Sequence, residues 1–184
     1  MKRFVLTTLL CLAVGSPALA KELAGVKLAD TIKVDGKSLT LNGVGLRKKF
    51  IFDVYVAGLY VEKPSQSGEA ILKADEAKLV RMVMRRDLDA ASIKDAIRAG
   101  FEQNAGNKLP SLKDRLNKFM AVIPAVKSND VLSLKYIPGE GTTVEAKSGQ
   151  KETVEGKDFA DALFSVFIGK HPVDDGLKNG MLGK

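Results

Sequence analysis

Runs of alternating apolar and polar residues near both ends of the chain, with helical spacing between them, set out its elements. The densest run is Leu41–Glu62, LNGVGLRKKFIFDVYVAGLYVE. Aromatic and β-branched residues crowd it, a composition that fits a pleated sheet. Alternation of faces puts Phe50, Phe52, Val54, Val56 and Tyr60 on one side and Ile51, Tyr55, Ala57, Leu59 and Val61 on the other. Both sets are largely apolar, so the run predicts a central strand covered on both faces. Gly43, Gly45 and Gly58 interrupt it, and a glycine inside a strand marks a bulge, a bend or the close approach of another backbone or a ligand.

Around this run the pattern predicts further elements. Ala29–Leu46 reads as two short strands about the turn dipeptide Asp35-Gly36. Pro64–Gly68 is a loop by composition, and Glu69–Ala74 a short helix. Leu79–Arg85 alternates, with Val80, Met82 and Met84 on one face and Arg81 and Arg85 on the other. Asp87 or Asp89 can cap a helix running to about Asn104, whose stripe is Ile93, Ile97 and Phe101. Pro110 opens another, with Ser111 and Asp114 as a capping pair and Leu112, Leu116, Phe119, Met120 and Ile123 as its apolar face. Val131–Ile137, Thr142–Ala146 and Lys151–Val154 form a meander about turns at Pro138–Gly141 and Ser148-Gly149. Asp158 caps a helix with Phe159, Leu163, Val166 and Phe167 on its inner face, Gly169 closes it, and the tail after Pro172 holds one more short helix. Strands first and last with helices between give an α+β domain, an antiparallel sheet with one face on a helical layer.

The first 20 residues change the picture of where this domain starts. Lys2 and Arg3, the apolar stretch Phe4–Val14 and the small residues Ala18-Leu19-Ala20 have the form of a secretory signal peptide cut after Ala20. An uncleaved anchor is the rival reading, but the apolar stretch is too short to span a bilayer. Residues 21–184 then form a single domain in the periplasm or outside the cell. Cys11 goes with the signal, which leaves no disulfide, thiol nucleophile or thiolate metal site. Removing Lys2 and Arg3 takes the net charge from +7 to +5. The remaining basic residues are scattered among acids except at Arg47-Lys48-Lys49 and Arg85-Arg86, so nucleic acid is excluded as a partner while contact with an anionic membrane surface stays open.

Two stretches carry a resemblance. The pattern G-x-G-x-R at Gly43–Arg47, then V-Y-x-x-G-x-Y-V-E at Val54–Glu62, resembles the chalcone isomerase-like superfamily, in particular its small exported bacterial members. Phe159–Lys170, FADALFSVFIGK, resembles that family's C-terminal helix. The resemblance implies an open-faced β-sandwich with a ligand cleft between sheet and helices. It also implies roles for particular residues. In the plant enzymes the motif arginine, here Arg47, polarises the substrate carbonyl and steadies an oxyanion. In the fatty-acid-binding relatives it holds a carboxylate with help from the motif tyrosine, here Tyr55.

The chain also departs from that pattern. Only eight steps separate Arg47 from Tyr55, and on one unbroken strand the two would stand roughly 26 Å apart at ~3.3 Å per residue. Tyr60 therefore competes with Tyr55 as the second ligand contact. Along the first long helix Lys94 matches the family's catalytic lysine, whereas Ala91 and Arg98 stand where a tyrosine and an asparagine belong. Val166, next to Ser165, occupies the late hydroxyl position. His171 is the one histidine and lies in a Gly-Lys-His-Pro turn, and Asp174-Asp175 splay apart, so no metal, cofactor or Ser-His-Asp site is expected. The preferred function is a non-catalytic binding protein for a small amphipathic anion such as a fatty acid. Its cavity would be lined by the sheet and by the helices at Ile93–Phe101 and Leu112–Ile123. An intramolecular lyase (an isomerase) using Arg47, with Lys94 as the further catalytic candidate, is the second reading. An interaction module with a filled core is the third.

Overall fold

Antiparallel neighbours build a seven-stranded sheet whose spatial order follows the chain. The computed structural model describes residues 20–147, 149 and 151–184. The expected signal peptide lies outside these residues except for Ala20, as does Ser148 of the expected Ser148-Gly149 turn. A two-stranded hairpin, β1 (Ala20–Leu23) with β2 (Val26–Ala29), precedes the sheet. The sheet runs β3 (Thr31–Val34), β4 (Lys37–Lys49), β5 (Phe52–Val61), β6 (Lys78–Met84), β7 (Val131–Ile137), β8 (Gly141–Ala146) and β9 (Lys151–Val154). Between β5 and β6 lies α1 (Gly68–Lys73), and between β6 and β7 lie α2 (Ala90–Ala105) and α3 (Leu109–Ala121). After β9 come α4 (Lys157–Ile168) and α5 (Asp175–Met181).

The helical layer packs on one face of the sheet. Phe101, Phe119 and Phe159 bring α2, α3 and α4 together, with ring centres 5.4 Å and 5.5 Å apart along the row. Helix α4 is the centre of that layer: nine of its residues, Phe159, Ala160 and Ala162 through Ile168, are buried. On the far face, Val26 and Leu28 of the first hairpin cover Val44 and Val56, while Tyr60 packs with Leu39 and Leu79. Both faces of β5 are thus covered, as its apolar text requires.

The expectation of a single central strand over Leu41–Glu62 is corrected. The run folds back on itself at Phe50-Ile51, so that β4 and β5 pair antiparallel. Phe50, Ile51 and Phe52, placed in a buried strand by alternation, are 90%, 87% and 51% exposed at the hairpin end. The two motif glycines of β4 have a packing role. A Cβ on Gly43 would overlap the Gly180 carbonyl oxygen, and one on Gly45 the Leu177 carbonyl oxygen. Only glycine lets α5 lie with its backbone directly on the strand.

Two helix starts also differ from expectation. Helix α3 emerges from a short 3-10 turn at Gly106–Lys108 with Pro110 in its first turn, and the Ser111 hydroxyl donates to the Lys108 carbonyl instead of capping. Helix α4 starts two residues early, capped by Gly156 at φ 99° instead of by Asp158. Asp158 sits inside its first turn, accepting from the Phe159 N–H and from Arg115. Asp89, by contrast, caps α2 as expected, accepting from the Ser92 N–H at 2.7 Å.

Candidate functional site

Register decides what faces the helices. Across the sheet Arg47 stands opposite Tyr55, and Tyr55 opposite Met84. The next row of the same face is Gly45, Ala57, Met82 and Leu132, and the one after it Gly43, Leu59, Val80 and Leu134. The distance of roughly 26 Å expected for Arg47 and Tyr55 is therefore replaced by direct cross-strand contact. Their seven intervening residues do not fit a plain hairpin. Two pairs, Lys48 with Asp53 and Lys49 with Phe52, and the two-residue turn account for six. Val54 is the seventh, and it bulges where the register shifts between Arg47 and Lys48. A bulge re-aims side chains. Here it lets Val54 and Tyr55, neighbours in sequence, both reach the helix side of the sheet.

Between that face and helices α2 and α4 lies a cavity of about 110 Å³. Val54, Tyr55, Met82, Met84, Leu132 and Leu134 form its floor. Ile93, Ala96, Ile97, Val166 and Phe167 form its roof, and Arg47, Lys49 and Ser92 its polar side. Lys49 and Ser92 are exposed, so the cavity reaches the surface beside them. The Arg47 guanidinium lies 5.9 Å from the centre of the Tyr55 ring, within cation–π range. Its Nε is buried and has no hydrogen-bond partner among the described residues. A buried N–H of this kind carries a desolvation penalty that an acceptor entering the cavity would relieve.

Burial pushes the Tyr55 phenol above its ordinary pKa, the Arg47 charge draws it back, and Asp174 adds a smaller rise. At neutral pH it is a neutral hydroxyl able to donate. Asp174 adjoins the site from the cap of α5, where it accepts from the Leu177 N–H at 2.7 Å and the Lys48 N–H at 3.3 Å. Among the described residues no carboxylate lines the cavity itself. Two cations and two hydroxyls thus stand against an apolar wall, an arrangement whose chemistry suits an anion with an apolar tail.

The other expected residues fall elsewhere. Tyr60 is on the opposite face of β5, because it is an odd number of residues from Tyr55. Lys94 lies on α2 but does not line the cavity, and neither do Ala91 and Arg98. The expected wall at Leu112–Ile123 is supplied by α4 instead, since α3 packs at the far end of the sheet near β9. Ser165 donates to the Ala162 carbonyl at 2.7 Å, so its hydroxyl is occupied within its own helix, whereas Val166 faces the cavity. The filled-core reading fails because the cavity is present and reaches Arg47. Ser92 and Lys49 were the missed residues; Lys49 was legible as part of the basic run, and Ser92 only as the residue after Ala91 on a capped helix. His171 is exposed in the α4–α5 turn, where Asn104 binds its backbone.

The family model described as chalcone isomerase-like matches residues 20–183. The chain belongs to the chalcone isomerase-like family. The crystal structure of an Arabidopsis thaliana fatty-acid binding protein superposes with a TM-score of 0.69 at 19% identity, covering 89% of this chain and 96% of that one. At that identity the likeness is one of fold, and it agrees with the curled antiparallel sheet and helical layer described above. No curated protein sequence matches the chain.

Proposed function

We propose that this chalcone isomerase-like protein is an exported, non-catalytic receptor for an amphipathic carboxylate of the fatty-acid class. The observation that carries the reading is the buried, unpartnered Nε of Arg47 at the edge of an apolar cavity. Arg47 and the Tyr55 hydroxyl take the carboxylate, and Met82, Met84, Ile97 and Phe167 take the first part of the tail. Affinity for the tail follows apolar burial at about 25 cal/mol per Å². The fatty-acid binding protein with the same fold supports the ligand class by analogy.

Volume limits the tail. A cavity of about 110 Å³ is comparable with the ~150 Å³ that admits a benzene ring, and small beside ligand pockets of roughly 300 Å³ and more. Short acyl chains fit without rearrangement, and longer ones need Met82 and Met84 to change rotamer, which thioether side chains do readily. Native mass spectrometry of the protein refolded with a mixture of fatty acids tests the reading. The expected result is an adduct favouring short and medium chains, and only the bare mass would overturn it. Export with removal of residues 1–20 belongs to the same proposal, and the intact mass of protein recovered from the periplasm checks it.

The cavity gives the lyase alternative less support. Conjugate addition needs a group to manage the proton of the attacking phenol, and Lys94 does not line the space where the substrate would sit.

A further inference from the structure

The end of the β4–β5 hairpin has a composition that folding does not explain. A two-residue hairpin turn favours glycine, asparagine or aspartate, because at least one residue takes positive φ. Here Phe50 takes φ 57° and Ile51 follows it. A bulky residue in that region is strained. These two side chains are also the most exposed large apolar groups among the described residues, at 90% and 87%. So the turn bears both strain and exposed apolar surface, and glycine with asparagine would remove both.

Cations surround it. Lys48 and Lys49 flank the turn, and Arg85 and Arg86 follow β6 beside it. The Arg86 guanidinium lies 4.7 Å over the Phe52 ring. None of these four cations is in an ion pair among the described residues. Two acids are near in sequence. Asp53 pairs across the strand from Lys48, and Asp87 is bound by Lys127 and by the Ser128 N–H. The collar is thus net basic around an apolar point.

We propose that this hairpin end docks the protein on an anionic lipid surface. Phe50 and Ile51 enter the boundary between headgroups and acyl chains, and Lys48, Lys49 and Arg86 meet the headgroup phosphates. The shape selects a bilayer over a protein partner. A stable protein interface needs about 800 Å² from each side, which three side chains at the point of a hairpin do not supply. The mouth of the cavity lies beside Lys49, so docking brings the opening to the lipid. The proposal does not depend on what the cavity holds.

Flotation with vesicles tests it, using the chain from Lys21, which retains the fold apart from the first residue of β1. Binding to vesicles of phosphatidylcholine with phosphatidylglycerol should exceed binding to phosphatidylcholine alone by about tenfold or more and fall as salt is added. The double variant Phe50→Gly/Ile51→Asn should melt no lower than the parent, since it suits the turn, yet bind mixed vesicles at least about tenfold more weakly. The triple variant Lys48→Gln/Lys49→Gln/Arg86→Gln should bind both vesicle types alike. Absence of binding by the parent overturns the proposal, as does full binding by the double variant. So does self-association in sedimentation velocity that the double variant abolishes while vesicle binding stays absent. Fatty-acid uptake from solution should be the same for parent and double variant, so failure of the ligand reading and failure of docking show separately.

Discussion

Replacing Arg47 by methionine separates a ligand contact from a structural residue, because the two roles predict opposite signs. Methionine keeps much of the length and the apolar stem while removing the charge and the donors. If Arg47 binds a carboxylate, the loss is that of a hydrogen bond to a charged group, about 1.5–3 kcal/mol, or a Kd roughly 10- to 100-fold weaker. A primary alcohol with the same tail should lose far less. In the unliganded protein the substitution removes a buried N–H that has no partner, which relieves about 1–3 kcal/mol. It forfeits a cation–π contact at 5.9 Å worth about 0.5–1 kcal/mol. The net expectation is an apo protein as stable as the parent or about 1–2 kcal/mol more so. Isothermal titration with the acid and the alcohol reads the first effect, and urea unfolding without ligand reads the second. The reasoning is refuted if acid and alcohol weaken equally, or if the apo variant loses stability while binding is unchanged.

Three further outcomes follow from packing and charge. Gly45→Ala drives a Cβ into the Leu177 backbone, which cannot rotate away, and should lower stability by about 1–3 kcal/mol in urea, with loss of α5 protection in hydrogen exchange. Lys78, whose ammonium donates to the Ile71 and Ala74 carbonyls, is lowered to about 8, first by burial and against the pull of Asp161. The unfolded chain then holds the proton more tightly, so stability should rise from pH 8 to pH 10; Lys78→Met should flatten that rise in unfolding midpoints. Asp158, held below its ordinary pKa first by the two-pronged bond from Arg115, contributes stability above pH 3.8 that is lost as pH falls through its lowered pKa. Asp158→Asn should therefore cost about 1 kcal/mol at neutral pH and reduce the acid slope of thermal melts.

How much of this was legible in the sequence varies by element. The meander β7–β9, the strand β6 and the Asp89 cap of α2 follow from alternation and capping chemistry, which are local. The fold-back at Phe50-Ile51 was not legible, because the residues that would announce a turn are absent and the ones present read as core. The first hairpin was missed too, although Val26 and Leu28 alternate after Gly25. It is short, and what buries it is Val44 and Val56, distant in sequence. Arg47 was identifiable from the motif, but its unpartnered Nε depends on register, helix placement and the position of α5 together. Val166 and Phe167 were readable as part of the inner face of α4, but that helix is apolar nearly all round, so periodicity does not say that they face a cavity.

The parity of the β4–β5 hairpin connects these features. With seven residues between Arg47 and Tyr55, a two-residue turn leaves one residue over, and the bulge at Val54 takes it up. Without the bulge, an even register would send either Arg47 or Tyr55 to the face covered by the first hairpin, where Val44 and Val56 pack. The extra residue therefore keeps cation and phenol on one side while the turn projects Phe50 and Ile51 beyond the sheet. The glycines at 43 and 45 admit α5, and its cap residue Asp174 accepts from the Lys48 N–H, which fixes the strand immediately after Arg47. The short spacing that would set Arg47 and Tyr55 far apart on one strand thus brings them into cross-strand contact, with the same turn adjoining the rim of the cavity and forming the exposed apolar point.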